Sequence, residues 1–391
     1  MQQAEARALV GDGLGAIHRG EIQRGIALLN RIVSAGVADA SLFVALAVAH
    51  RRANNLTLAF KSIDDALRMA PSDIRANIFK GDLLEEQGDS RAASAFYLAA
   101  LKVSAKHETL PDDMRADLGR AQERCNAHTD QLETFVRERL EDWLGPDDAT
   151  SSRFGESVDI LFQRKKVYFQ QPRYYFYPGL PHIQFFNRSK FPWLTQLESA
   201  TDTIRRELLA VLETPSAFRP YVEGVADRPH NAQQGMLNNP DWSAYYLWKH
   251  GEIVAENAAR CPETMRVLAS IPLACAPNRS PSVLFSLLKP GAHIPPHSGM
   301  INTRMIGHLP LVVPEGCEFR VGNETRQWKE GEAWLFDDTI EHEAWNRSNQ
   351  TRVILLFEVW REELTADERS GVCALLAAID AQTGRKPEWE I

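Results

Sequence analysis

The sequence predicts a multidomain chain: an all-α half followed by a mainly-β half with flanking helices. Three observations carry that expectation. Small residues recur every 34 positions through the first hundred residues, short apolar segments with strict alternation fill 283–360, and a run of turn residues, Gly145-Pro-Asp-Asp-Ala-Thr-Ser-Ser152, separates the two patterns. The expected domains are therefore 1–145 and 146–391. With 391 residues, 44% of them hydrophobic and 25% charged, the chain has material for two cores of ordinary size.

The helical half follows from its period. Gly13, Ala47 and Gly81 stand 34 apart, where paired helices must approach closely, and Gly25, Ala59 and Ala93 give a second small-residue register. Gly20, Asn54 and Gly88 repeat at the same interval, each just before a new helix, as an inter-helix turn requires. A period of 34 is that of the tetratricopeptide repeat, here roughly three units over 3–105. Residues 110–144 continue as helix, with Leu132, Phe135, Val136, Leu140 and Trp143 at helical spacing, expected to cap the last repeat. An aromatic strip at 167–177 is expected to pack the repeats onto the β half. Two amphipathic helices are expected over 193–213 and 363–382, the second opened by a capping box from Thr365 to Glu368. Between them, strands are expected at 283–289, 303–313, 332–336, 342–346 and 351–360, with a hairpin over 318–328 turning at Gly322-Asn323.

The strands carry polar groups on faces that otherwise read as buried. Ser286 alternates onto one face with Leu284 and Leu288; Arg304, Ile306 and His308 share a face of the next long strand; Arg352 lines up with Ile354 and Leu356. Isolated buried polar groups cost a few kcal/mol each unless they find partners, so a shared ligand accounts for all three together. His297, in Pro-Pro-His-Ser-Gly, precedes His342 by 45 positions, and Arg352 follows ten further on. Two imidazoles brought together by a sheet can hold a divalent metal, and an arginine on the next strand can clamp a carboxylate with its planar fork.

Residues 283–361 resemble the aspartyl/asparaginyl β-hydroxylases, a branch of the double-stranded β-helix (jelly-roll) oxygenases. The motifs are Lys289-Pro-Gly-Ala-His293, Pro296-His297-Ser-Gly299, Arg304 to Pro314, Cys317 to Thr325 and Phe336 to Trp345; weaker similarity reaches back through Asp241–Trp248 and Tyr177–Pro181. The resemblance implies an iron(II)- and 2-oxoglutarate-dependent dioxygenase that also consumes O2. It implies His297 and His342 as metal ligands, Arg352 and Ser286 as the grip on the distal carboxylate of 2-oxoglutarate, and His308 and Trp248 as further cosubstrate contacts. The usual third ligand, a carboxylate two positions after the first histidine, is Gly299 here, an absence for which this family is known. One departure concerns the substrate: better-known members carry two arginines where this chain has Arg304 and Ile306, leaving Arg304 alone as the expected substrate contact. The implied substrate is an Asp/Asn or related residue in a peptide or protein, with a free amino acid, small molecule or lipid acyl chain as the alternative.

Other function classes fit less well. A zinc hydrolase on the same barrel needs a third protein ligand and a general base, neither of which Gly299 supplies. An inert binding module would tend to lose Arg352 or a histidine. The net charge of −8, without a basic stripe, argues against nucleic acid. No apolar run long enough for a membrane span occurs, and the five scattered cysteines lack metal or disulfide spacing, so a cytoplasmic location is expected. The repeat domain is expected to offer a peptide or protein substrate a concave surface.

Overall fold

The computed structural model describes residues 3–144, 153–224 and 236–383. These form two compact units, Met1–Phe162 and Gln163–Ile391. The turn segment 145–152, where a boundary was expected, lies outside the described residues. The first unit runs 17 residues past the expected limit because a helix beyond that segment packs back onto it through Val158 and Phe162 against Val136 and Leu140.

The first unit is helical: α1 (Gln3–His18), α2 (Ile22–Ser34), α3 (Ala40–Arg52), α4 (Leu56–Met69), α5 (Ile74–Glu86), α6 (Ser90–Ser104), α7 (Asp112–Arg139), α8 (Glu141–Leu144) and α9 (Arg153–Leu161). The 34-residue register has a direct physical cause. Gly20, Asn54 and Gly88, which close the first helix of each pair, all adopt positive φ (86°, 57° and 83°). At the pair crossings a Cβ on Gly13 would stand 2.7 Å from Leu29, and one on Gly81 would stand 2.4 Å from the Tyr97 ring. Asp39, Asn55, Asp73 and Asp89 cap α3 to α6 by accepting from backbone N–H groups three residues on. The cap of the last repeat differs from expectation. Leu118, Ala121 and Cys125 of α7 cover it, whereas Leu132, Phe135 and Trp143 are exposed.

The second unit contains α10 (Trp193–Ser199), α11 (Thr201–Leu212), α12 (Ala255–Ala259), α13 (Pro262–Leu268) and α14 (Ala366–Thr383). The single helix expected at 193–213 is thus two, parted at Ala200. The capping box of α14 forms as expected, with Glu368 N–H donating to the Thr365 hydroxyl and Thr365 N–H to the Glu368 carboxylate. The strands are β1 (Arg219–Pro220), β2 (Trp242–Lys249), β3 (Glu252–Ile253), β4 (Val283–Leu288), β5 (His293–His297), β6 (Arg304–Val312), β7 (Cys317–Val321), β8 (Glu324–Gln327), β9 (Trp334–Phe336), β10 (His342–Asn346) and β11 (Arg352–Trp360).

The strands order as β1-β2-β4-β11-β6-β9, with β3 on β2, in one sheet and β5-β10-β7-β8 in the other, with antiparallel pairing throughout. Taking β4 to β11 as eight consecutive strands, the first pairs with the eighth, the second with the seventh, the third with the sixth and the fourth with the fifth. That nesting is the jelly roll. Leu194, Leu197, Ile204 and Leu208 of α10 and α11 pack on the outer face of the larger sheet against Phe285, Leu309, Leu355 and Phe357. A second core lies between the sheets, where Trp242, Ile306, Phe336 and Ile354 meet Ile294, Phe319, Val321 and Ala344. The aromatic strip is used inside this unit: Tyr168 joins the inter-sheet core, and Tyr175 and Tyr177 pack with Trp360, Val372 and Leu376.

Candidate active site

The inter-sheet core is incomplete, leaving a cavity of about 60 Å³ that opens to solvent. Histidines from the smaller sheet face it. His342 opens β10 and His297 ends β5, and the two are direct cross-strand partners with ring centroids 4.1 Å apart. The Nδ1 of His297 lies 2.8 Å from the Pro295 carbonyl and that of His342 lies 3.0 Å from the Ile340 carbonyl. A carbonyl only accepts, so each Nδ1 donates and each Nε2 keeps its lone pair for the cavity. Burial pushes the pKa of His297 down to about 4; burial, and then His297, push His342 well below the ordinary value. Both rings are neutral, the form that binds metal.

Across the cavity, Arg352 heads β11 at 1% exposure. Its guanidinium lies over the Trp328 ring (4.8 Å) and donates weakly to the Ser286 carbonyl (3.3 Å) and hydroxyl (3.5 Å), while its Nε has no partner. No carboxylate compensates it among the described residues, and burial pushes its pKa down to about 10. His308, beside it on β6, has an unpartnered Nδ1 and is held well below its usual pKa by burial and by the Arg352 charge. Alternation along β4, β6 and β11 places these three polar groups in one space, as the parity of the sequence indicated.

Trp248 is elsewhere. A β-bulge between Tyr246 and Trp248 reverses the alternation of β2, so Trp248 packs half-buried behind the larger sheet. Trp242, six residues earlier, faces the cavity instead and donates from Nε1 to the Ser286 hydroxyl (3.2 Å). The lone arginine is also placed differently from a free substrate contact. Arg304 is buried and lines the cavity, but it pairs with Glu358 and, at 3.3 Å, with Asp338.

The aspartate pair before His342 divides in two. Asp337 is structural, bound by Arg361 (2.8 Å), Gln170 (2.6 Å) and the Thr339 hydroxyl (2.6 Å). Asp338 lines the cavity with Oδ1 unpartnered, and burial raises its pKa to about 7. It also blocks Gly299: a Cβ there would stand 1.9 Å from Asp338 Oδ2. Residue 299 therefore has no space for a ligating side chain. Among the described residues no group of three or more His, Cys, Asp or Glu is arranged for a metal. Two neutral imidazole nitrogens, an orphaned buried guanidinium and an orphaned buried imidazole nitrogen nevertheless fit a metal that takes its remaining ligands from a bound dicarboxylate and water.

Cavity residues that the sequence reading did not single out include Tyr221, Trp242, Trp328 and Glu358. Glu358 carried a signal, since it continues the Arg352, Ile354, Leu356 parity of its strand. The others depend on pairings distant in sequence.

A jelly roll with two histidines on neighbouring strands and a buried arginine facing them is the class of site defined so far. Residues 198–362 match the family model described as Aspartyl/Asparaginyl beta-hydroxylase, so the likeness seen in the motifs extends over most of the barrel. Over 182 residues the chain is 36% identical to the human protein named aspartyl/asparaginyl beta-hydroxylase, covering 46% of this chain and 22% of that one. It is 31% identical to an ornithine lipid ester-linked acyl 2-hydroxylase of Rhizobium tropici, covering 46% of this chain and 62% of that one. It is 28% identical to human aspartate beta-hydroxylase domain-containing protein 2, covering 53% of this chain and 55% of that one. The chain thus spans less than two thirds of the length of each of these relatives. Among solved structures, PcrH in complex with the chaperone binding region of PopD overlays on 34% of this chain and 96% of its own, with 16% identity and a TM-score of 0.31.

Proposed function

We propose that this protein is an iron(II)- and 2-oxoglutarate-dependent hydroxylase acting on an Asp/Asn or related residue of a peptide or protein. The observation that carries this reading is Arg352, a buried guanidinium without an anionic partner among the described residues, facing two histidines whose free nitrogens enter the same cavity. Leaving a charge buried and unpaired costs several kcal/mol, and a dicarboxylate removes that cost. Iron(II), 2-oxoglutarate and O2, when bound, would supply the oxidising chemistry that turns a C–H bond into C–OH while the cosubstrate becomes succinate and carbon dioxide.

The chain's own residues would bind and orient. Arg352 and Ser286 would hold the distal carboxylate, Trp242 keeping the hydroxyl aimed by its 3.2 Å hydrogen bond. His308 would accept or donate at Nδ1 according to its tautomer. His297 and His342 would anchor the metal, each held in one tautomer by a backbone carbonyl. Phe319, Trp328 and Phe336 would exclude water from this end. The helical unit would offer a peptide or protein substrate a surface for recruitment. A lipid acyl or small-molecule substrate is the second reading, favoured by the similarity to the acyl 2-hydroxylase.

Oxygen-dependent release of succinate from 2-oxoglutarate by the full chain with iron(II) tests the reading, combined with a mass gain of one oxygen on a peptide pool or a lipid extract. No succinate at any iron or cosubstrate concentration would sink it.

A further inference from the structure

The cavity has a second half, and in a hydroxylase of the kind proposed above that half decides the class of substrate. Its assignment therefore rests on the hydroxylase reading. Inward residues of β11 run Arg352, Ile354, Leu356, Glu358, so about 20 Å of strand separates the cosubstrate end from a far end closed by a carboxylate. Arg304 lies at that far end, and its charge is spent. It donates to Glu358 and to Asp338 Oδ2, and the second oxygen of Glu358 is tied to the Ser282 N–H at 3.0 Å. Two carboxyl groups therefore face one guanidinium, and whether or not Asp338 is protonated no positive charge is left over.

The neighbouring positions are mixed, with His250 and Ser282 lining the cavity beside apolar residues. Ile306 stands opposite Glu358 in register, and Leu284 stands opposite both Tyr246 and Leu356. The side wall is aromatic: Tyr221 stacks on Trp242 with centroids 4.1 Å apart and planes 10° apart, and lies 6.4 Å from Tyr246. A carboxylate entering here would lose its water, find only the Nε–H of an already neutralised Arg304 unpartnered, and face Glu358 and Asp338. An amide or an aliphatic group would lose little and gain the aromatic wall.

We propose that the far half of the cavity admits an uncharged substrate group, and that Glu358 sets this specificity as a positioning residue by holding Arg304 away from the substrate. Aspartate is thereby excluded in favour of asparagine or an aliphatic side chain.

The test uses the full chain with manganese(II) and saturating 2-oxoglutarate, without oxygen. The amides of N-acetyl-aspartate, N-acetyl-asparagine and N-acetyl-leucine are titrated as probes, and binding near the metal is read from paramagnetic relaxation of their protons. Wild type should bind the asparagine or leucine probe at least about tenfold more tightly than the aspartate probe. Glu358→Gln, which removes one of the two acids facing Arg304, should reduce that ratio about fivefold or more, whereas Glu358→Asp should keep it. Ile306→Arg supplies a cation by an independent route and should also strengthen aspartate binding, so the idea stays exposed if Glu358→Gln does not fold. Equal or tighter aspartate binding by wild type, absence of saturable binding by both neutral probes, or an unchanged ratio in the variants would overturn the proposal. Binding of 2-oxoglutarate itself is measured beforehand, and its absence would count against the hydroxylase reading instead.

Discussion

The two ends of the cavity hold one buried arginine each, and they are solved in opposite ways. Arg352 has aromatic stacking, a weak contact to Ser286 and, among the described residues, no acid; Arg304 has two. Both are at most 5% exposed, so neither is relieved by water. The difference separates two uses of one side chain. An uncompensated buried cation is tolerable only if a ligand regularly supplies the anion, whereas a compensated one shapes and fixes its surroundings without calling for a charged ligand.

The largest expected effect tests whether the first end is a metal and cosubstrate site at all. His297→Ala or His342→Ala should lower turnover by more than about a hundredfold, since each leaves a single protein nitrogen for the metal. Manganese titration should show the affinity lost in parallel, and a variant keeping most of both would break the assignment.

Next in size, Arg352→Ala should raise the 2-oxoglutarate concentration needed for half-saturation by about 10- to 100-fold, the scale of a charge-assisted bond. Arg352→Lys should rescue it only in part. The same position sharpens the contrast through stability: Arg352→Met should raise the Tm of the ligand-free protein, because it removes an unpaired buried charge, whereas Arg304→Met should lower it by stranding Glu358. Thermal melts of the two variants side by side, both shifting in the same direction, would erase the distinction.

A smaller effect concerns pH. The folded-state pKa of Asp338 is raised to about 7 from 3.8, so between those values the folded protein binds more protons at this site than the unfolded chain. Its contribution therefore favours folding most at low pH and fades as pH rises through about 7. Asp338→Asn should flatten that part of the stability profile, read from urea midpoints between pH 5 and 8. A profile that keeps its slope in the variant would assign the titration elsewhere.

The smallest effect on the site should come from the helical unit. Gly81→Ala forces a Cβ against Tyr97 and should destabilise that unit by about 1–3 kcal/mol while leaving 2-oxoglutarate affinity unchanged. A matching loss of cosubstrate affinity would contradict the assignment of that site to the second unit alone.

Much of this was legible in the chain because two periods are simple. A left-handed turn every 34 residues and a side chain on every second position of a strand are enough to place Gly20, Asn54 and Gly88, and to bring Ser286, His308 and Arg352 to one face. What resisted reading were breaks in period and long-range pairing. One bulge in β2 exchanges Trp248 for Trp242. The two acids around Arg304 come from 34 and 54 residues away, and only their registers reveal that its charge is taken. The helix Arg153–Leu161 returned to the first unit through Val158 and an Asp159–Arg137 ion pair that no turn signal foretells.

His297 and His342 are partners in register at the end of the smaller sheet, yet they stand 45 positions apart in the chain. An ion bound to both would act as a clasp between β5 and β10, removing from the unfolded ensemble the freedom of a loop of that length. Loading the metal should then slow amide exchange along both strands beyond the binding residues themselves, and a chelator should release it. In that role a bound metal would be a fastening of the barrel, and its loss would loosen the very sheet that presents the two imidazoles.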